Sequence, residues 1–237
     1  VPLLYVGDHG QLPPFNESFN LMQDPMLRLE TPHRFSENSP LIKLSMLARL
    51  EGRIPFGQFS DNVKKLPRSE ISKASGDIEK FVKSKSLLDG SAVIVCGFNK
   101  TRVGLNAKIR DYNDFTEHTP MIGDRVICLK NNKRSNVPLY NGAHGTLRHI
   151  VKNPRLEYAN SVVEMDGVNE DMFRGKMLYG AFAKEKFNSY ETAPGREVFD
   201  YGYAITAHKS QGSEFEKVMV IEEGKYVWRE NWNKWLY

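Results

Sequence analysis

The run Ala92-Val93-Ile94-Val95-Cys96-Gly97-Phe98 constrains this chain more than any other stretch. It is apolar, rich in β-branched side chains and too short for a helix, so it reads as a strand covered on both faces. A strand of that kind belongs in a parallel sheet. The residues behind it agree: Thr101 is the expected helix cap, and Leu105, Ile109 and Tyr112 recur at i, i+4, i+7 along one face. Strand followed by helix is half of a βαβ unit and predicts an α/β fold. Composition allows it, with 40% hydrophobic and 26% charged residues among 237. No apolar run approaches the roughly 18 residues that a membrane span needs, and the first residues lack the basic region of a signal peptide. A cytoplasmic protein without a membrane partner is expected. Two cysteines, Cys96 and Cys128, exclude a disulfide scaffold and a four-Cys zinc site. Both are expected as reduced core thiols, and no structural metal site is read.

Other elements follow from local signals. Pro2–Val6 reads as a short buried strand. Ser39-Pro40 starts a helix, carried on by Leu41, Leu44, Leu47, Ala48 and Leu50 and stopped by Gly52. Residues 77–89 read as one amphipathic helix. Beyond Pro120 the texture changes to short strands, Arg125–Lys130, Thr146–Val151 and Ser161–Met165. The pairs Asn141-Gly142, His144-Gly145 and Asp166-Gly167 punctuate them as turns, which suggests a small β-barrel inserted in the α/β domain. Residues 169–197 carry no clear pattern. Phe199–Thr206 reads as a strand, Val218–Ile221 as another buried strand, and residues 225–237 as helix.

Charge is unevenly spread. Residues 1–30 are net −3, 31–118 net +5, 119–168 net +3 and 169–237 net −1. From Arg125 to Arg155 there are seven Lys or Arg and no acid. That window is either a nucleic-acid-facing surface or a solvated basic face.

Three polar strings stand where chemistry is expected. Gly7–Pro14 (GDHGQLPP) follows the first apolar run, and ligands of open α/β sheets sit beyond the carboxyl ends of strands. Gln11 on such a loop can orient a water or meet a phosphate without adding charge. Leu29–Phe35 (LETPHRF) brings Arg34 just ahead of a capped helix, and a guanidinium matches phosphate oxygens. Tyr203–Phe215 (YAITAHKSQGSEF) gathers hydroxyl, imidazole, ammonium and amide groups around a glycine turn after a strand, a combination suited to gripping phosphates.

In this order the strings resemble motifs III, IV and V of superfamily 1 DNA helicases, in the RecD/Dda-like group that is similar to the TraA and TraI relaxase-helicases. Thr206–Phe215 is close to the family's T-x-H-K-S-Q-G-x-E-F. Asn99–Arg110 resembles its N-x-x-R-x-x-L-N-x-x-I-R helix. GDRVICLKNN and LYNGAHGTL resemble the SH3-like barrel inserted before motif V. The resemblance implies a RecA-like parallel sheet with that inserted barrel. Residues 1–30 would end a first motor domain, 31–118 and 169–237 would form two parts of a second, and 119–168 the barrel. It also implies an ATP-dependent helicase, with ATP as substrate together with Mg²⁺, that moves 5′→3′ on single-stranded or forked DNA.

Roles carry over by motif. Gln11 would sense the γ-phosphate or position the attacking water, and Arg34 would stabilise charge on the transferring phosphoryl group. Gly7 and Asp8 would belong to the ATP site, with Asp8 tying it to the DNA site. Gln211, Gly212 and Glu214 would line the nucleotide or DNA cleft. Thr206, His208, Lys209 and Ser210 would contact DNA, as would Asn99 and Arg102, and Lys133 and Arg134 on the barrel. The departures are equally plain. The 237 residues contain no G-x-x-x-x-G-K-[ST] and no Asp-Glu pair ahead of the first motif. Leu236-Tyr237 matches only the start of the family's Leu-Tyr-x-A-x-T-R-A. The expectation is therefore a piece of a longer motor, inactive as an ATPase alone, with P-loop and Mg²⁺ ligands supplied from outside it. Alternatives are a non-catalytic nucleic-acid-binding module, or a RecD-like subunit of an exonuclease complex. Nuclease, replication or conjugation subunits are the expected protein partners, with repair and recombination as the setting.

Overall fold

The computed structural model describes residues 2–8, 10–12, 26–28, 39–70, 75–153, 155–167, 172–188, 192, 195–228 and 231–237. In chain order the elements are α1 (Pro40–Glu51), β1 (Gly57–Ser60), β2 (Val63–Lys65), α2 (Ser75–Val82), α3 (Lys85–Asp89), β3 (Ala92–Cys96), α4 (Asn99–Tyr112), β4 (Arg125–Cys128), β5 (His144–Lys152), β6 (Tyr158–Met165) and β7 (Met172–Leu178). They continue with β8 (Arg196–Glu197), β9 (Phe199–Tyr201), β10 (Ala204–Thr206), α5 (Ala207–Ser210), β11 (Lys217–Val220), α6 (Lys225–Trp228) and α7 (Trp232–Leu236). The chain forms two compact units, residues 1–75 with 224–237, and residues 76–223.

In the first unit α1 starts and stops where its residues dictate. Ser39 Oγ accepts from the Leu41 N–H at 3.3 Å, Pro40 takes the first turn, and Gly52 ends the helix at φ 62°. Leu44 and Ala48 are buried. At its far end α7 stacks Trp232 on Trp235, with ring centroids 5.1 Å apart, and Trp232 Nε1 donates to the Gly52 carbonyl at 2.8 Å. β1 and β2 form an antiparallel hairpin. Pro2–Val6 is not the expected buried strand. It has no strand assignment, and Leu4 and Val6 are each 85% exposed. An apolar run becomes a strand only where a ladder receives it, and no described strand pairs with this one.

The second unit joins two sheets. One is parallel, in the order β10-β3-β11, with β3 at its centre and buried throughout. The expected βαβ character of Ala92–Phe98 is thus present. In β11 Val218 and Val220 are exposed rather than buried as expected, whereas Ala204 and Ile205 of β10, at the other edge, are covered by the core. The other sheet has six strands in the order β8-β7-β6-β5-β4-β9, antiparallel except for β7 with β8. It takes in β7 and β8 from the stretch that sequence left unassigned. One core serves both sheets, including Ile94, Ile109, Val126, Leu147, Phe173, Phe199 and Tyr203.

Several expectations shift. Residues 77–89 make two helices, because Ser84 leaves the helical conformation and caps α3. α4 begins at Asn99 rather than behind a Thr101 cap. His144-Gly145 opens β5 and is not a turn; the turn before it is Asn141-Gly142, with Gly142 at φ 93°. Phe199–Thr206 divides between sheets: β9 pairs with β4 and β10 with β3, with Gly202 at the crossing. A Cβ on Gly202 would come within 3.0 Å of the Val126 backbone, so only glycine lets β4 pass so close.

The sheets are riveted by a buried ion pair. Arg110, on α4, donates Nε to Asp124 at 2.9 Å and its other nitrogens to the Glu117 and Thr119 carbonyls. Its guanidinium lies 4.4 Å over the Tyr201 ring. Tyr203 also donates to Asp124, at 2.8 Å.

Candidate functional site

The candidate residues fall into one group in each unit. In the first unit, Gly7, Asp8 and Gln11 lie on a turn. Asp8 Oδ1 accepts from the Gly10 N–H at 2.8 Å, and the Gln11 N–H donates to the Asp8 carbonyl at 3.2 Å. Aspartate closes a turn readily because its carboxylate reaches the backbone two residues on. The Gln11 side chain is exposed. Arg34 lies outside the described residues.

The second group gathers at the carboxyl ends of the parallel strands. Thr206 ends β10, and α5 follows at once with His208, Lys209 and Ser210. Ser210 donates its hydroxyl to the Ala207 carbonyl at 2.8 Å. Gln211, Gly212 and Glu214 are exposed, and Gly212 turns the chain at φ 82°. Burial lowers the pKa of His208 and of Lys209, and the nearby Arg102 charge lowers that of Lys209 further. Lys209 Nζ donates to Asn141 Oδ1, on the loop between β4 and β5. Lys133 and Arg134 are exposed on the same loop. One hydrogen bond therefore links the polar segment after β10 to the loop bearing those two bases.

Asn99 and Arg102 share the first turn of α4. Arg102 Nε donates to Asn99 Oδ1 at 3.1 Å, while Nη1 is ion-paired with the buried Asp200 and Nη2 donates to the Lys184 carbonyl at 2.7 Å. Burial raises the Asp200 pKa, and the Arg102 charge opposes that rise. Arg102 thus has three partners within the protein, and Asn99 is exposed beside it.

The acid-free window is not one basic face. Its Arg125 is buried and pairs with Asp166, Arg148 pairs with Glu164, and Lys152 pairs with Glu117 at 2.5 Å. Charges absent from the window itself return through strand pairing. Lys133, Arg134 and Arg155 remain exposed.

Sequence reasoning missed Glu223. Its Oε1 accepts from the Gly97 and Phe98 N–H groups at 2.9 and 3.0 Å, and its Oε2 from the Thr101 hydroxyl at 2.9 Å. It satisfies otherwise orphaned donors at the start of α4 across the sheet edge. The only local signal is the acidic pair Glu222-Glu223 behind β11.

His144 was read merely as part of a turn. It is buried, stands edge-on to Phe215 at 5.4 Å, and its Nε2 has no hydrogen-bond partner among the described residues. Burial pushes its pKa down to about 4 from 6.5, with the Arg125 charge adding to the effect. On acidification from about 6.5 to about 4 the unfolded chain takes up a proton that the folded one refuses, so stability falls across that window. The expected loss is about 3 kcal/mol. Urea titrations at pH 7 and pH 4.5 check it, and His144→Gln should remove most of this dependence.

Burial likewise pushes the Cys96 thiol up to about 12 and the Cys128 thiol to about 11, consistent with reduced core cysteines. Among the described residues no three His, Cys, Asp or Glu are grouped to hold a metal ion. No described helix is long and apolar enough to cross a membrane.

The chain is similar to helicases of known structure. A Pif1 helicase from Bacteroides, solved in complex with ADP-AlF3 and ssDNA, aligns with a TM-score of 0.45 at 16% identity, over 80% of this chain and 45% of that one. A double mutant of a Bacteroides Pif1 helicase gives a TM-score of 0.36 at 17% identity, over 78% and 43%. Pif1 helicase from Candida albicans gives 0.38 at 12% identity, over 78% and 54%. The chain spans about half the length of these helicases. No family model matches the chain, and no curated protein does.

Proposed function

We propose that this chain is the C-terminal motor portion of a superfamily 1 DNA helicase of the RecD/Dda-like type, which couples ATP hydrolysis to 5′→3′ movement on single-stranded DNA. In this reading the parallel sheet is the RecA-like part, and the six-stranded sheet contains the SH3-like insertion. The observation that carries the reading is the string Thr206–Phe215 directly after the carboxyl end of β10, hydrogen-bonded through Lys209 to the loop of Lys133 and Arg134. Ligands of open α/β sheets meet that end of the strands.

Each residue then has a part. Thr206, His208 and Ser210 face the DNA backbone, and Lys209 holds the barrel loop against them. Asn99, exposed at the start of α4, offers its amide to a phosphate. Lys133 and Arg134 contribute charge, and Gln211, Gly212 and Glu214 line the cleft. Gln11 and Arg34 serve the phosphoryl transfer, with Gly7 and Asp8 supporting Gln11.

The test is hydrolysis by the full-length protein. ATP turnover stimulated by single-stranded DNA is expected. Tight DNA binding without stimulated turnover would instead give the non-catalytic binding module. For the loop, Lys133→Glu with Arg134→Glu should weaken single-stranded DNA binding. Two lost phosphate contacts reduce the slope of log K against log salt by about 1.4. Fluorescence anisotropy across a salt series measures it, and an unchanged slope would leave both bases as solvated charges.

A further inference from the structure

The turn bearing Gln11 is tied to a particular side chain, Tyr237. Asp8 shares its carboxylate between two donors. Oδ1 takes the Gly10 N–H at 2.8 Å, and Oδ2 takes the Tyr237 hydroxyl at 3.2 Å. Tyr237 is itself held. α7 delivers it, and α7 is bonded to the C-terminal end of α1 through Trp232 Nε1 to the Gly52 carbonyl and Asn233 Nδ2 to the Arg49 carbonyl, at 2.8 and 3.1 Å. The Arg49 guanidinium stands 5.4 Å from the Tyr237 ring centroid. Gly10 is buried where these groups meet. A Cβ there would lie 3.0 Å from the Tyr237 ring, 3.1 Å from Asp8 Oδ1 and 3.2 Å from the Arg49 guanidinium.

We infer that Tyr237 is a positioning residue for Gln11, holding the Asp8–Gln11 turn in one conformation through the Asp8 carboxylate. The inference rests on the reading of Gln11 given under the proposed function. A loop residue that must orient a water or a phosphate needs its backbone held to about 0.5 Å. The Gly10–Asp8 bond shapes the turn but anchors it to nothing outside itself. The Tyr237 hydroxyl ties it to the α1–α7 framework. A displacement of about 1 Å at a reacting centre can cost on the order of a hundredfold in rate. A turn still closed by its own Asp8–Gly10 bond should lose less, about tenfold.

The experiment uses the full-length protein and compares Gln11→Ala, Tyr237→Phe, Asp8→Asn and the Tyr237→Phe/Asp8→Asn double variant. Tyr237→Phe keeps the ring on Arg49 and removes the hydroxyl, with its bonds to Asp8 and to the Arg49 side chain. It should lower kcat for DNA-stimulated ATP hydrolysis about tenfold, with KM for ATP within about twofold and the melting temperature within about 2 °C of the parent. The double variant should lose less than the two single changes combined, because both break the Asp8–Tyr237 bond. If Gln11→Ala turns over like the parent, the reading of Gln11 fails. If Gln11→Ala is slow but Tyr237→Phe keeps parental kcat, the positioning role fails by itself. A loss of kcat accompanied by a matching loss of melting temperature also overturns it, since the hydroxyl would then be structural only.

Discussion

Arg110→Ala is expected to destabilise the protein by about 3–5 kcal/mol, the range for removing one partner of a buried ion pair. Three consequences follow from its surroundings. Asp124 is fully buried and would keep a charge with no cation beside it. The Glu117 and Thr119 carbonyls would lose their donors. The Tyr201 ring would lose the guanidinium that covers it at 4.4 Å. Burial already raises the Asp124 pKa against the pull of Arg110, so without Arg110 the carboxyl should be protonated at higher pH still. The destabilisation should therefore ease somewhat on mild acidification. Urea unfolding at pH 7.5 and pH 5.5 measures both effects. Adding Asp124→Asn should restore part of the loss by removing the stranded charge. It should not restore all of it, since Tyr203 and the Met121 N–H also use Asp124.

Arg34→Ala in the full-length protein is expected to abolish ATP hydrolysis with little loss of ATP binding. Arginine fingers are worth about 10³–10⁵ in rate, because the guanidinium stabilises charge that develops only as the phosphoryl group transfers. An interaction made only in the transition state lowers kcat and kcat/KM together. Single-turnover hydrolysis and nucleotide-binding assays separate the two quantities. Turnover at the parental rate would remove Arg34 from the phosphoryl-transfer role, and a loss of binding equal to the loss of rate would make it a ground-state contact.

Much of the local structure was legible in the residues. Ser39, Pro40 and Gly52 bounded α1, since caps depend on neighbours within a few positions. The β-branched run at Ala92 gave the central parallel strand for the same reason. Errors arose where a local pattern had a non-local cause. Val218–Ile221 is as apolar as Ala92–Cys96, yet it lies at the sheet edge. Apolarity reports what a strand can tolerate, whereas exposure depends on its neighbours. Residues 77–89 differ for a local reason, since Ser84 accepts from the Ser86 N–H and so caps α3 within the amphipathic pattern. β7 escaped notice because its alternation is weak, and its identity comes from pairing with β6.

The candidate site divides in the same way. The strings holding Gln11 and Thr206–Phe215 stand out in sequence, because so many polar groups behind an apolar run serve no core, and Arg34 stands out ahead of the helix that Ser39 caps. Arg102 is bound to Asp200, 98 positions away, a partner that no local pattern announces. Glu223 reaches the start of α4 from 126 positions away. The acid-free window has its countercharges on Asp166, Glu164 and Glu117, which no window count includes. The sequence by itself thus determined the elements with strong local signals, such as α1, β3 and the polar turn after β10, because those rest on caps, branching and periodicity over a few residues. Only the tertiary structure decided which sheet each strand joins, which bases face solvent and which carboxylates hold the site together. Ladder partners and ion pairs are set by distance in space, and here they join residues up to a hundred or more positions apart.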